Sequence, residues 1–173
     1  MRSLLVSLVI AVVTTSCASA PAVVKRDKVP RGVEIAVIAF RDCLIANQED
    51  CSGSGSITGS VVARALFSGG QFKAFPVSRP VGATQPLADD EAVALGREKR
   101  YAYVINGEVD DYYIVAPMTF RSEKAGISMR LLRVSDGALV AFFSRRREAG
   151  NLTTPDKMIL KMAGEFRDAL LQP

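Results

Sequence analysis

The 173-residue sequence contains no histidine. Histidine is the side chain that most often exchanges protons near neutral pH, and it is a common ligand of zinc and related metals. The Ser–His–Asp arrangement of many hydrolases cannot be built without it. We therefore expect no catalytic residues, no metal site and no cofactor, although a hydrolase that uses a Ser–Lys pair stays open as an alternative.

Nucleotide-binding signatures and strongly basic stretches are also missing. Residues 52–60 are rich in glycine and serine and lead into a predicted helix, a context in which backbone N–H groups bind phosphate. The lysine of a phosphate-binding loop does not follow. The chain has 22 basic and 18 acidic side chains, a formal net charge of +4, with no long basic segment. We therefore do not expect nucleic acid as a partner.

The apolar run near the N-terminus, Leu4–Val13, is too short to cross a bilayer, which needs about 20 residues. It follows Arg2 and precedes the small residues Thr14–Ser16. A positive start, a short apolar core and small residues are typical of a cleaved export signal. We predict that residues 1–16 are a signal peptide; the alternative is a buried helix of the fold.

The small residues end at Cys17, where the sequence resembles the bacterial lipobox. In that motif a small residue precedes a cysteine that is acylated and becomes the first residue of the mature protein. Ser16 fits the motif, whereas Thr14 replaces the usual leucine, so cleavage after Ala20 by an ordinary signal peptidase stays open. The resemblance implies a covalent lipid on Cys17, and Ala18 in place of aspartate implies anchoring in the outer membrane.

Two further cysteines, Cys43 and Cys51, follow in the exported part of the chain. Disulfides form in oxidising compartments outside the cytoplasm, so we predict a Cys43–Cys51 bond. Closing so short a loop stabilises the fold by roughly 2–3 kcal/mol in the chain-entropy estimate. Two free thiols, or a metal site with further ligands, are the alternatives.

Residues 17–32 are predicted to be the lipidated cysteine and a short tether. The segment holds Pro21, Pro30 and the charged group Lys25–Lys28, with few large apolar residues. Fifteen residues span at most about 50 Å when fully extended. A single domain, residues 33–173, is therefore expected to sit close to the membrane.

The patterns along this domain predict the order β-α-β-α-β-β-β-α. An uninterrupted apolar run at Val33–Phe40 favours a central strand covered on both faces. Glycines end the first helix, and proline starts the last one. The predicted strands are 33–40, 72–77, 101–109, 127–134 and 139–145, and the helices begin near residues 56, 89 and 155. We predict an α/β fold with one mixed sheet of about five strands and about three helices.

This order resembles a group of periplasmic envelope domains. The resemblance rests on Ile35–Phe40, Gly69–Phe72, Tyr103–Val109 and Leu131–Val140, and it covers residues 33–172. The group includes the N-terminal domain of the Tol propeller protein, the curli secretion lipoprotein, the lipoprotein activator of penicillin-binding protein and the lipoprotein of Pel exopolysaccharide export. Its members share no catalytic residues and act by docking.

The resemblance implies a non-enzymatic outer-membrane lipoprotein that serves an export or assembly machine. Envelope proteins, the outer membrane and further copies of the chain are the implied partners, with ring formation as one arrangement. The chain is too short for the insertions of a curli-type channel. Activation of a peptidoglycan synthase stays as one alternative and an envelope hydrolase as another.

Two segments are candidate partner-binding surfaces. Residues 110–118 combine acidic side chains with aromatic ones, and tyrosines are favoured anchors of interfaces; the alternative is a strand extension packed on the sheet. A basic triplet follows the last predicted strand and is a candidate for anionic lipid or glycan; the alternative is a solvated or edge-protecting strand end. The candidate residues are Asp110, Asp111, Tyr112, Tyr113, Arg145, Arg146 and Arg147.

Overall fold

The computed structural model describes residues 22–45, 49–115, 122–150 and 153–172. The predicted signal peptide 1–16, Cys17 and residues 116–118 lie outside these ranges. The strands are β1 (Val23–Lys25), β2 (Glu34–Ile38), β3 (Lys73–Val77), β4 (Tyr103–Val115), β5 (Ser122–Arg133) and β6 (Leu139–Gly150). The helices are α1 (Ser54–Phe67), α2 (Asp89–Glu98) and α3 (Pro155–Leu171), with a short 3-10 turn at Glu49–Cys51.

One mixed sheet organises the domain, with strand order β1-β6-β5-β4-β2-β3. β2 runs parallel to β3 and to β4, whereas β4, β5, β6 and β1 pair antiparallel. The predicted α/β class, the mixed sheet and the three helices are confirmed. Pro76 lies in β3 at the edge of the sheet, where a residue without a backbone N–H is tolerated.

A sixth strand, β1, lies inside the segment that was predicted to be a tether. Val23–Lys25 pairs with Ala141–Phe143 of β6, and Val29 is buried. Without this pairing the outer edge of β6 would present unpaired backbone groups to solvent along more of its length. The folded part therefore starts before residue 33, the predicted start of the domain. A strand of three residues is too short to show a periodic pattern in the sequence.

The helices cover the two faces of the sheet unequally. Ile35 and Val37 of β2 pack in the larger core with α1 and α3. Ala36 and Ile38 point the other way, into a smaller core with α2. The central strand is therefore buried on both faces, as predicted. Among the helices of the described ranges, none has the length and apolarity that a bilayer crossing requires.

The strands differ in length, and the longer ones extend beyond the helix that covers one face of the sheet. β2 has 5 residues, whereas β4 has 13 and β5 and β6 have 12 each. α2 has only 10 residues, and its core partners in β4 and β5 are Val104 and Leu132, at one end of those strands. The outer halves of β4–β6 therefore carry α3 on one face, while their other face extends past α2.

A buried carboxylate orients the start of α1. Asp42 accepts hydrogen bonds from the N–H groups of Gly53 (2.8 Å) and Gly55 (2.7 Å). The first N–H groups of a helix have no partner within the helix, so this cap satisfies two of them and places negative charge at the positive end of the helix dipole. A disulfide joins Cys43 and Cys51, as predicted, and closes the loop that begins directly after Asp42.

Gly55 permits the close approach of α1 to the end of β2. A Cβ at this position would lie 1.9 Å from the carbonyl oxygen of Phe40 and 2.9 Å from Oδ1 of Asp42. No side chain fits without moving the backbone. Gly55, in the first turn of the helix, and Asp42, which caps that turn, therefore pack directly against each other.

We expect Gly55→Ala to lower the free energy of unfolding by about 3 kcal/mol, because the clash is with backbone that must shift. Gly164→Ala is the matched control: the site lies inside α3, and a Cβ there meets no atom within 4 Å. That control should stabilise by about 0.5–1 kcal/mol through helix propensity. Urea unfolding measures both, and equal effects would contradict the packing argument.

Candidate docking surface

The candidate segment 110–113 is divided between the two faces of the sheet. The register between β4 and β5 shifts between Val109 and Asp111, so Asp110 is the extra residue of a bulge. Asp110 and Asp111 both reach groups on the face that extends past α2. Tyr112 points to the opposite face, and Tyr113 returns to the first.

Tyr112 is part of the packed structure on the α3 face. Its ring packs against the larger core, and its hydroxyl donates a hydrogen bond of 2.6 Å to Oδ1 of Asp156 at the start of α3. The strand-extension interpretation therefore describes Tyr112 better than the partner-surface one. Tyr113 is half-exposed and has the Lys124 ammonium 5.8 Å from its ring centroid.

The basic triplet of β6 is divided in the same way. Arg145 and Arg147 lie on the α3 face and both contact Glu165; Nη1 of Arg145 is 2.7 Å from its Oε2. Arg146 points to the other face and forms an ion pair with Asp111. The three arginines therefore do not form one basic patch.

A glycine in the middle strand lets the Asp111–Arg146 pair form. The register places Gly126 of β5 directly between Asp111 of β4 and Arg146 of β6. A Cβ on Gly126 would lie 3.1 Å from Oδ2 of Asp111 and 3.1 Å from Cβ of Asp110. The missing side chain leaves the space through which the two charged groups meet across a strand.

We name the polar residues of this face the open-face cluster. Its acidic members each have a partner: Glu108 pairs with Arg41, Asp111 with Arg146, and Asp110 accepts from Oγ of Ser128 at 2.9 Å. With its single hydrogen used on Asp110, Ser128 accepts a hydrogen bond from Oγ of Ser144 at 3.0 Å. The cluster consists of Glu108, Asp110, Asp111, Ser128, Ser144 and Arg146. Arg146 is the one cation of the cluster, and Arg41, outside the cluster, compensates a second carboxylate.

Asp110 is the least stabilised carboxylate of the open-face cluster. Burial raises its pKa above the ordinary value, and the nearby charges of Glu108 and Asp111 act in the same direction. The Ser128 hydrogen bond and Arg146 oppose these effects.

Within the part of the chain that the structure describes, no group of three or more acidic or cysteine side chains is placed to hold a metal ion.

Open α/β sheets often bind ligands at the carboxyl ends of parallel strands. Here a cavity of about 270 Å³ lies beside the ends of β2 and β3, whereas a polar network fills the space between the end of β2 and β4. Asn106 donates to the carbonyl of Leu87 (2.9 Å) and to Asp89 (2.8 Å), and Arg79 donates to the carbonyl of Ala39 (3.3 Å). Burial, followed by the charge of Arg41, lowers the pKa of Arg79. The cavity left among these groups is about 30 Å³, the share of about one water molecule.

No protein-family model matches the sequence, and no curated protein matches it either. Solved structures do match. The PelC dodecamer from Paraburkholderia phytofirmans is 18% identical, over 87% of this chain and 96% of that chain, with a TM-score of 0.67. The chain has the PelC fold.

Other solved structures match with lower TM-scores. A DUF330 protein from Xanthomonas campestris is 11% identical over 83% of this chain and 85% of its own, with a TM-score of 0.50. The LpoB C-terminal domain from Salmonella enterica is 14% identical over 71% and 86%, and its TM-score of 0.42 is too low to support an argument. The resemblance seen in the sequence is thus confirmed for the PelC-like fold, while these identities show fold alone.

We expect Tyr112→Phe to lower the free energy of unfolding by about 1.5–3 kcal/mol, because it removes a hydrogen bond to a charged, half-buried carboxylate. Tyr113→Phe is the matched control on the next residue and should change stability by less than about 0.5 kcal/mol. Urea denaturation of both variants tests this. Equal losses would show that the two tyrosines are not on different faces.

Asp110→Asn is expected to stabilise the protein at neutral pH and to lose this advantage in acid. The raised pKa means that the folded protein holds a proton on Asp110 more tightly than the unfolded chain does. Wild-type stability from this group therefore falls as pH rises from the ordinary pKa through the raised one. Melting curves of both proteins from pH 3 to pH 7 measure the difference; a gap that does not change with pH would contradict the assignment.

Proposed function

We propose that this protein is a lipid-anchored, non-enzymatic component of an envelope export or assembly machine, and that it works by self-association and docking. The observation that supports this most is the PelC fold, matched over nearly the whole described domain. The matched PelC structure is a dodecamer. We accordingly propose that several copies of this chain assemble, with a ring as the closed arrangement that repeated head-to-tail contacts produce.

The described surface supports docking over catalysis. The acidic groups of the open-face cluster already have partners, and the polar network between the end of β2 and β4 leaves room for only about one water. A catalytic site would instead need an accessible nucleophile next to a base. The sequence supplies no histidine for that base.

The anchor follows from the lipobox-like residues Thr14–Cys17. An acylated Cys17 would attach the chain to a membrane, and Ala18 favours the outer one. Only Cys17 to Ala22 separate the lipid from the folded part, a reach of about 18 Å. This short reach disfavours the synthase-activator alternative, which needs a tether long enough to pass the peptidoglycan.

Replacing Cys17 tests the anchor. Cys17→Ser, expressed in a Gram-negative cell, should leave the protein in the soluble fraction or unprocessed, because no thiol remains to be acylated. Cys51→Ser removes a different cysteine and should leave the membrane attachment unchanged. Mass spectrometry of the native protein should show a lipid on Cys17, and unaltered attachment of the Cys17→Ser protein would refute the anchor.

The assembly is tested on the same native material. Light scattering coupled to size exclusion, on protein extracted from membranes in detergent, should give a protein mass of many protomers. A monomer across micromolar concentrations would contradict self-association. The test of the anchor and the test of the assembly are independent, because together they distinguish an anchored monomer from an oligomer without an anchor.

A further inference from the structure

A cavity of about 460 Å³ lies where β6 ends and α3 begins. Arg147, Glu148 and Ala149 of β6 line one side, and Lys157 and Lys161 of α3 line the other. Lys157 and Lys161 are four residues apart and so share one side of the helix. The first turn of α3, with the positive end of the helix dipole, is at the same place.

Positive charge is in excess around this cavity. Lys157 and Lys161 are exposed, and neither forms an ion pair with any residue of the described ranges. Glu165 is shared between Arg145 and Arg147, so one carboxylate compensates two guanidinium groups. Glu148, the acidic residue of the lining, is paired with Lys124 at 3.3 Å.

Arg147 adds a guanidinium group to the lining. Its Nε–H is buried, and no acceptor for it exists among the residues that the structure describes. A buried donor without an acceptor costs free energy. The cavity thus combines ammonium groups, a guanidinium group and enough volume for a group several times larger than a water molecule.

The direction of β1 brings the start of the described chain near this end of β6. The N–H of Ser144 donates to the carbonyl of Ala22 at 3.1 Å, and β1 runs antiparallel to β6. The chain before Ala22 therefore starts from beside Ser144. Cys17 lies within about 18 Å of Ala22, and β6 continues for about 20 Å from Ser144 to Gly150. The anchor can thus lie level with the end of the sheet that carries the cavity.

We propose that this cavity binds the phosphate of an anionic lipid headgroup in the membrane that anchors the protein. The inference rests on the proposed anchor at Cys17, which brings this end of the domain to the headgroups. The acyl chains of Cys17 then fix where the domain is held, and the cavity fixes which end faces the bilayer.

The test is a titration of protein purified from membranes in an uncharged detergent, with soluble short-chain phosphatidylglycerol and, separately, phosphatidylcholine. The wild type should bind the anionic lipid in preference to the zwitterionic one. The double variant Lys157→Gln, Lys161→Gln should bind it about 30-fold more weakly, because two cations near the headgroup are lost. Lys73→Gln with Lys99→Gln is the control: both lysines are exposed at the opposite end of the sheet, and the charge change is the same.

Three results would overturn the proposal: binding of neither lipid, equal weakening in both double variants, or binding of inorganic phosphate without binding of phosphatidylglycerol. The last would assign the cavity to a soluble anion. Binding of a soluble lipid does not require an acylated Cys17. Failure of the anchor, seen by mass spectrometry, is therefore distinct from failure of the cavity.

Discussion

Successive side chains of a strand point to opposite faces of a sheet, and in this domain the two faces are covered to different extents. On one face, α1 and α3 pack on β4–β6 as far as the cavity at the end of β6, whereas α2 covers only one end of the other face. A residue in the outer half of these strands is therefore either part of the core or open to its surroundings according to its position in the strand. The bulge at Asp110 sets that alternation for the end of β4, because it places two consecutive aspartates on the open face.

This constraint explains how far the sequence predicted the structure. Long apolar runs and glycine or proline at helix ends act locally, so the class, the sheet and the helices followed from them. Asp42 caps α1 through Gly53 and Gly55, which follow it by 11 and 13 positions, beyond a loop closed by a disulfide. No local sequence pattern predicts these hydrogen bonds. β1 forms because β6 presents a free edge, which is a property of the folded sheet and not of residues 23–25.

The candidate docking residues were predicted as two continuous stretches of sequence, whereas a docking surface consists of residues that share one face of the sheet. Treating Asp110–Tyr113 and Arg145–Arg147 as contiguous patches ignored the alternation that the strand pattern itself implied. Because successive residues of a strand point to opposite faces, the pattern predicts Arg146 on the face opposite to Arg145 and Arg147. The structure places it there. The partners Ser128, Asp156 and Glu165 could not be assigned in advance, because each lies on another element and is brought in by the packing of β5 and α3.

The exposed cations of the described residues differ in whether a carboxylate compensates them. Arg41, Arg130, Arg133 and Arg146 each have a carboxylate partner, and such pairs are poorly available to a ligand. Exposed pairs of this kind add little stability, so their effect is mainly to leave no net attraction for an ion. Lys157 and Lys161, like Lys99 and Arg100, have no such partner among the described residues, and the first two line one cavity together with Arg147. If the short segment before β1 holds this end against a bilayer, their free ammonium groups meet the headgroup phosphates, and the orientation of each copy becomes fixed. Copies that share one orientation on one membrane already have the alignment that a closed ring requires, which reduces the entropy lost on assembly.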